Sequence, residues 1–140
     1  MDSSVWLAFA LEGHLDHDKA QDFFDVNSEP NSLLFCRATQ QSFLRLITTA
    51  SILRAYNESP LSNALAWQFY ENIESLPNVG FAQESVELNS VWRSFSSLNT
   101  TSPKVWMDSY LAAFAIAHDH TLVSFDKDFA QYQNLKLRLL

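Results

Sequence analysis

A single cysteine, Cys36, stands in the 140 residues of this chain, which excludes an internal disulfide and a cysteine-based zinc site. It lies between Phe35 and Arg37 at the end of an apolar run, where a free thiol behaves as a small hydrophobe, and a reducing, cytoplasmic compartment is expected. Glycine is nearly absent, with two in all, so the chain reads as helices separated by a few short strands rather than as a β sandwich. Basic residues are also scarce. Nine Lys and Arg against 16 Asp and Glu give a formal charge of -7, which argues against a protein that grips nucleic acid by a broad basic face. No stretch approaches the roughly 20 apolar residues of a membrane span. The opening Met1-Asp2-Ser3-Ser4 has no basic region followed by an apolar run, so a soluble, non-exported protein with no membrane partner is expected.

Hydrophobic residues make up 47% of the chain, enough at this length for one core, and a single domain over 1–140 is expected. Ser3 or Ser4 reads as the N-cap of a short apolar helix through Val5–Leu11 that Gly13 stops, with the carboxylate of Asp2 just before it. A second helix is expected from about Asp16 to Asp25, ending before the Asn27–Asn31 turn. Leu33–Cys36 is a short continuous apolar run, the mark of a strand buried on both faces. From Thr39 the pattern is helical, with Phe43, Leu44, Leu46 and Ile47 on a stripe that leaves Arg45 outside. A helix after Pro60 would bury Leu61, Leu65, Phe69 and Ile73 and stop near Pro77. Val79–Phe81 reads as a strand, Val86–Phe95 as a helix, Val105–His118 as a strong helix and Thr121–Phe125 as a buried strand. Strands alternating with helices imply a parallel α/β sheet, in which ligands sit beyond the carboxyl ends of the strands. Asp126 and Asp128 fall at such an end.

The strongest local signal is Asp108-Ser109-Tyr110-Leu111-Ala112-Ala113-Phe114-Ala115-Ile116-Ala117-His118, followed by Thr121-Leu122-Val123-Ser124-Phe125-Asp126-Lys127-Asp128-Phe129. A carboxylate opening an Ala-rich helix, then a strand ending in Asp-x-Asp-Phe, resembles the C-terminal half of PIN domains. Asp2-Ser3-Ser4-Val5-Trp6-Leu7-Ala8 with Glu12-Gly13-His14 resembles the opening of VapC-type members, and Thr39-Gln40-Gln41-Ser42-Phe43-Leu44-Arg45-Leu46 their middle motif. Each piece alone is weak. Together they span nearly the whole chain in the right order.

The resemblance implies a three-layer α/β/α domain with a central parallel sheet, in which carboxylates from separate segments hold Mg²⁺ or Mn²⁺. It carries the catalytic roles to Asp2, Asp108 and Asp126, with Asp128 as a further metal ligand. Such a cation activates water for in-line attack on a phosphodiester and offsets charge on the leaving oxygen. The implied activity is that of an endoribonuclease, the toxin of a VapBC toxin-antitoxin pair, with a VapB-like antitoxin, an RNA substrate and a second copy of the chain as partners. Ser4 and Ser124 match polar positions that hydrogen-bond the acids or the metal's water. The chain departs from the family twice. Gln40 stands where a Glu is common, and an amide offers a carbonyl oxygen but no charge. Asp2 follows the initiator directly, where the family has a short apolar strand.

Without the resemblance each acid has a plainer reading. Asp2 and Asp108 suit a helix N-terminus through the macrodipole, and Asp126 with Asp128 suits an Asx-type turn or a cap on the short helix through Phe129–Tyr132. His14, His17, His118 and His120 lack zinc-type spacing and read as packing or surface residues. Arg45 suits an RNA phosphate or a surface ion pair equally. Trp6, Trp67, Trp92 and Trp106 read mostly as core, with Trp106, just before Asp108, also suited to the rim of the site. Two further functions stand beside the ribonuclease: a catalytically weak or inactive PIN module that binds RNA or a protein, with Gln40 as its trace, and a metal-dependent nuclease acting on DNA.

Overall fold

The structure is a computed structural model describing residues 1–140, and the chain divides into two compact units. One comprises Met1 and Ser3–Ala82, the other Asp2 and Gln83–Leu140.

The first unit holds helices α1 (Ser3–Ala10), α2 (His17–Val26), α3 (Arg37–Ile47), α4 (Ala50–Arg54) and α5 (Asn63–Glu74), with strands β1 (Leu33–Phe35) and β2 (Val79–Phe81). The strands pair in parallel, Leu33 opposite Val79 and Phe35 opposite Phe81. Four consecutive residues of α1, Val5–Ala8, are buried, as expected of a helix apolar on every side and covered all round. Trp6 stacks on Phe35 with ring centroids 3.8 Å apart, and Phe35 meets Phe43 and Tyr70 at 5.9 and 5.0 Å. Such pairs contribute roughly 0.5–1.5 kcal/mol each beyond the area they bury. The indole N–H of Trp6 has no hydrogen-bond partner, an omission that costs on the order of 1–3 kcal/mol. The ring's burial against Phe35 outweighs it.

Several expectations shift by a residue or two. Ser3 and Ser4 lie inside α1, so neither is its cap. Gly13 is needed for space rather than for a left-handed backbone: a Cβ there would lie 2.9 Å from the carbonyl oxygen of Tyr56. Cys36 is the N-cap of α3 rather than the last strand residue, its backbone N–H donating to Thr39 Oγ1 at 3.0 Å. Of the residues expected on one face of α5, Ile73 is buried and Leu61 and Phe69 pack against the core, and Leu65 is the correction. Ala66, Tyr70 and Ile73 are buried while Leu65 is 52% exposed and Trp67 46% exposed, because the helix turns its aromatic Tyr70 onto Phe35 and carries Leu65 away with the opposite side. Of the four tryptophans only Trp6 is fully buried, and Trp106 is 57% exposed. Helix α4 had no periodic signal in its five residues.

The second unit holds α6 (Leu88–Ser96), α7 (Val105–Ala117), β3 (Thr121–Ser124), a 3₁₀ turn (Lys127–Gln131) and β4 (Lys136–Leu139). β3 and β4 also pair in parallel, Thr121 opposite Lys136 and Ser124 opposite Leu139. β4 escaped the sequence reading because Lys136 and Arg138 alternate with leucines on an exposed strand, a pattern without the buried run that marks β3. Ser109 and Leu111–Ala115 are buried along α7. A left-handed Asp119, φ 55°, turns the chain from α7 into β3. No helix is long and apolar enough to cross a membrane.

Phe35→Ala is expected to lower unfolding stability by about 3–5 kcal/mol, and Leu65→Ala to change it by less than about 0.5 kcal/mol. Urea denaturation compares them; similar losses for both would contradict the orientation of α5.

Candidate active site

β3 positions the first part of the site. Its final residue, Ser124, is fully buried, and its hydroxyl donates to Asp2 Oδ2 and accepts from the backbone N–H of Asp126, both at 3.0 Å. Asp2 is also held by its main chain, its N–H donating to Val123 O at 2.8 Å. The chain's second residue is thereby fastened beside a strand end more than a hundred residues later. Asp126 Oδ1 accepts from the N–H of Asp128 at 2.8 Å and caps the 3₁₀ turn. The plain capping reading of Asp126 is therefore realised with one oxygen, and the other oxygen takes no part in the cap.

α7 supplies Asp108 in its first turn. The turn is anchored from α6, where the Trp92 indole N–H lies 3.0 Å from Ser109 Oγ and 3.1 Å from Trp106 O. Tyr110 donates its hydroxyl to Glu84 at 2.7 Å. These bonds leave Asp108 half-buried on a fixed helix end. Its carboxyl is pushed above the ordinary range, first by burial, then by the negative charges of Asp126, Asp2 and Asp128, with Lys104 opposing. Three carboxylates thus act on Asp108 within one compact unit. The Tyr132 hydroxyl is raised as well, by burial and then by Asp108.

Lys104 was missed in the sequence, although it stands four residues before Asp108 and its charge reaches that carboxyl. The i, i+4 spacing was the available signal. Ser4, Gln40 and Arg45 belong to the first unit. Ser4 is half-buried in α1, Gln40 is buried in α3 and Arg45 is exposed without an ion pair. The histidines have local duties: His17 Nδ1 lies 2.9 Å from Ala8 O, His118 Nδ1 2.9 Å from Phe114 O, His14 stacks on Tyr56 and His120 on His118.

The donor chemistry suits a hard divalent cation, since carboxylate oxygens are what Mg²⁺ and Mn²⁺ prefer. The electrostatics suit one too, because a cation would offset the negative charges that, after burial, raise the Asp108 carboxyl. The side chains are not closed into a cage: no three His, Cys, Asp or Glu stand ready to hold an ion together. Asp2 and Asp126 are anchored by hydrogen bonds, and Asp126 and Asp128 are exposed.

The PIN-domain family model matches residues 1–135. The chain is 43% identical over 140 residues to Ribonuclease VapC41 of Mycobacterium tuberculosis, covering 99% of this chain and 96% of that one. It is 31% identical over 131 residues to Ribonuclease VapC44 of the same organism, covering 93% and 87%. Among solved structures it resembles VapBC2 from Rickettsia felis, determined bound to a DNA fragment from its promoter, with a TM-score of 0.67 at 13% identity over 98% of this chain and 94% of that one. At that identity the likeness establishes the α/β fold.

The raised carboxyl has a consequence for stability. Above its folded-state value Asp108 is charged in both states but more costly in the folded one, so folding is penalised at neutral pH; the penalty disappears as pH falls below the unfolded value of 3.8. Without metal, Asp108→Asn is expected to raise stability at pH 7 by about a few tenths of a kcal/mol, the exposed part of the group being screened. The gain should vanish near pH 3 in thermal melts, and a loss at pH 7 would mean that the repulsion is absent.

Proposed function

The chain belongs to the PIN-domain family, among its VapC-type ribonucleases, and on that premise we propose that it is a divalent-metal-dependent endoribonuclease and the toxin of a type II toxin-antitoxin pair. Its 140 residues act as one PIN-type domain in this reading. Asp2, Asp108 and Asp126 are its catalytic carboxylates, and Asp128 is a further ligand for Mg²⁺ or Mn²⁺. The observation that carries the assignment is the buried Ser124 hydroxyl, which binds the Asp2 carboxylate and the main chain of Asp126 at one strand end, with the charges of both acids reaching the Asp108 carboxyl.

A bound cation supplies charge to offset the phosphate and makes an adjacent water a stronger acid. The chain's own residues do the rest. Ser124 fixes the rotamer of Asp2 by donating to Oδ2 and the start of the turn by accepting from Asp126 N–H, so two acids keep their places when the ion is absent. The Trp92 contact with Ser109 holds the first turn of α7, and with it Asp108, in a fixed position. Lys104 lessens the repulsion that an RNA phosphate meets on approaching Asp108.

A VapB-like antitoxin, a second copy of the chain and an RNA substrate complete the reading. Support for the antitoxin comes from the Rickettsia felis neighbour, which is a VapBC2 complex. One observation favours the second reading, a binding module with weak or no cleavage: Gln40, where the family commonly has an acid, is a buried neutral amide already bonded to Arg37.

Purified protein with Mg²⁺ or Mn²⁺ is expected to cut total RNA, and EDTA or Asp108→Asn to reduce cutting by roughly a hundredfold or more. A folded, antitoxin-free sample that binds RNA but does not cut it with either metal would favour the binding module. Ser124→Ala is expected to cost about 10-fold to 100-fold in activity or metal affinity. Mg²⁺ titration of the melting temperature reads the affinity apart from activity; a wild-type response in Ser124→Ala would remove the serine from the site.

A further inference from the structure

In the first unit, Arg37 is the residue whose placement local physics explains least. It is the first residue of α3, at the positive end of the helix dipole, where a cation is disfavoured and an acid preferred. That turn contains no acidic residue. The side chain is exposed and forms no ion pair. A locally unfavourable charge with no acidic partner marks a candidate functional position.

The guanidinium is nevertheless held at two points. One of its N–H groups donates to Oε1 of Gln40, and its central carbon lies 5.0 Å from the centroid of the Phe81 ring. Gln40 is only 5% exposed and lies near Tyr70, whose hydroxyl donates to Glu74 at 2.7 Å. An exposed arginine loses considerable rotamer freedom when a ligand fixes it. Here part of that freedom is lost before any ligand arrives, which is the condition for tight anion binding.

Residue 40 decides whether the charge is available. A carboxylate there would form an ion pair with the guanidinium and cancel its charge. The amide tethers one N–H, adds no charge and leaves the other donors of the planar fork unspent. In a chain with seven more acidic than basic residues, every uncompensated cation counts heavily toward holding a polyanion. A fork geometry with an aromatic neighbour suits a phosphate and the base beside it.

Resting on the ribonuclease reading, we propose that Arg37 is a preorganised phosphate-binding residue for the RNA substrate, tethered by Gln40 and stacked on Phe81. The amide at residue 40 is then part of the substrate grip rather than the remnant of a lost metal ligand. This makes an uncommon prediction: restoring an acid at that position weakens RNA binding.

The test measures binding of a short fluorescein-labelled single-stranded RNA to the intact protein by anisotropy, in EDTA, across a range of salt. Arg37→Ala is expected to weaken binding about tenfold and to make the salt dependence shallower by roughly one unit of slope or slightly less. Arg37→Lys should keep the slope while recovering only part of the affinity, since an ammonium supplies the charge without the fork. Gln40→Glu should weaken binding in the same direction as Arg37→Ala, with thermal melts reporting whether each variant is folded; the two substitutions at the exposed Arg37 decide the matter if the buried change unfolds the protein. Wild-type affinity and slope in Arg37→Ala, from a protein that binds and cuts RNA, would overturn the inference while leaving the ribonuclease intact. Failure of the wild type to bind or cut RNA would remove both. Should Arg37→Ala instead lose binding to a labelled poly-glutamate peptide and keep its RNA affinity, the arginine recognises an acidic protein segment and the RNA assignment is wrong.

Discussion

The hydroxyl of Ser124 joins two carboxylates that the chain keeps 124 residues apart, donating to Asp2 and accepting from the main chain of Asp126. The acidic unit depends on this bond. Ser124 is fully buried, so its donor and acceptor must both be used, and each use pins an acid at the same strand end. Asp108 then enters from the first turn of α7 and feels the charges already gathered there. The arrangement is mildly unfavourable by itself. Such strain at one point, supported by a rigid helix and strand, is typical of a site whose charge balance is completed by a ligand.

The two compact units use different means of holding together. In the first, aromatic rings do most of the packing: Trp6 on Phe35, with Phe43 and Tyr70 against the same ring. The unpartnered indole N–H of Trp6 shows that ring shape and apolar area were favoured there over polar satisfaction. The second unit combines an alanine-rich buried helix with directed polar bonds, from Trp92 to Ser109 and from Ser124 to Asp2. Directional bonds suit the task, because carboxylates that repel one another need orientation as well as burial.

Gln40 illustrates why a residue's identity and its role separate. By resemblance it is a missing acid; in its surroundings it is the acceptor for an otherwise unpaired arginine and a neighbour of the Tyr70 and Glu74 pair. Replacing an acid by its amide keeps shape and hydrogen-bonding capacity while removing one negative charge. The effect extends to Arg37, three residues back along the helix.

Apolar runs and helical periodicity were enough for the strand-helix alternation and for α7 and β3 almost to the residue, because each is a short-range pattern read along the chain, while the acidic motifs stood out as a set only through their resemblance to PIN domains. The same information missed β4, whose charged and apolar residues alternate without a buried run, and it misplaced Leu65 on α5, since Leu65 and Tyr70 are both apolar in character and only their neighbours decide which one is buried. Periodicity also could not distinguish the core Trp6 from the exposed Trp106. What the sequence determined by itself was which residues carry oxygen donors, and in what order. Tertiary structure alone decided that Asp2 meets Ser124, that Asp108 is raised by burial and then by three other acids, and that Arg37 lies over Phe81, since burial, distance and charge coupling arise only when segments remote in the chain are brought together.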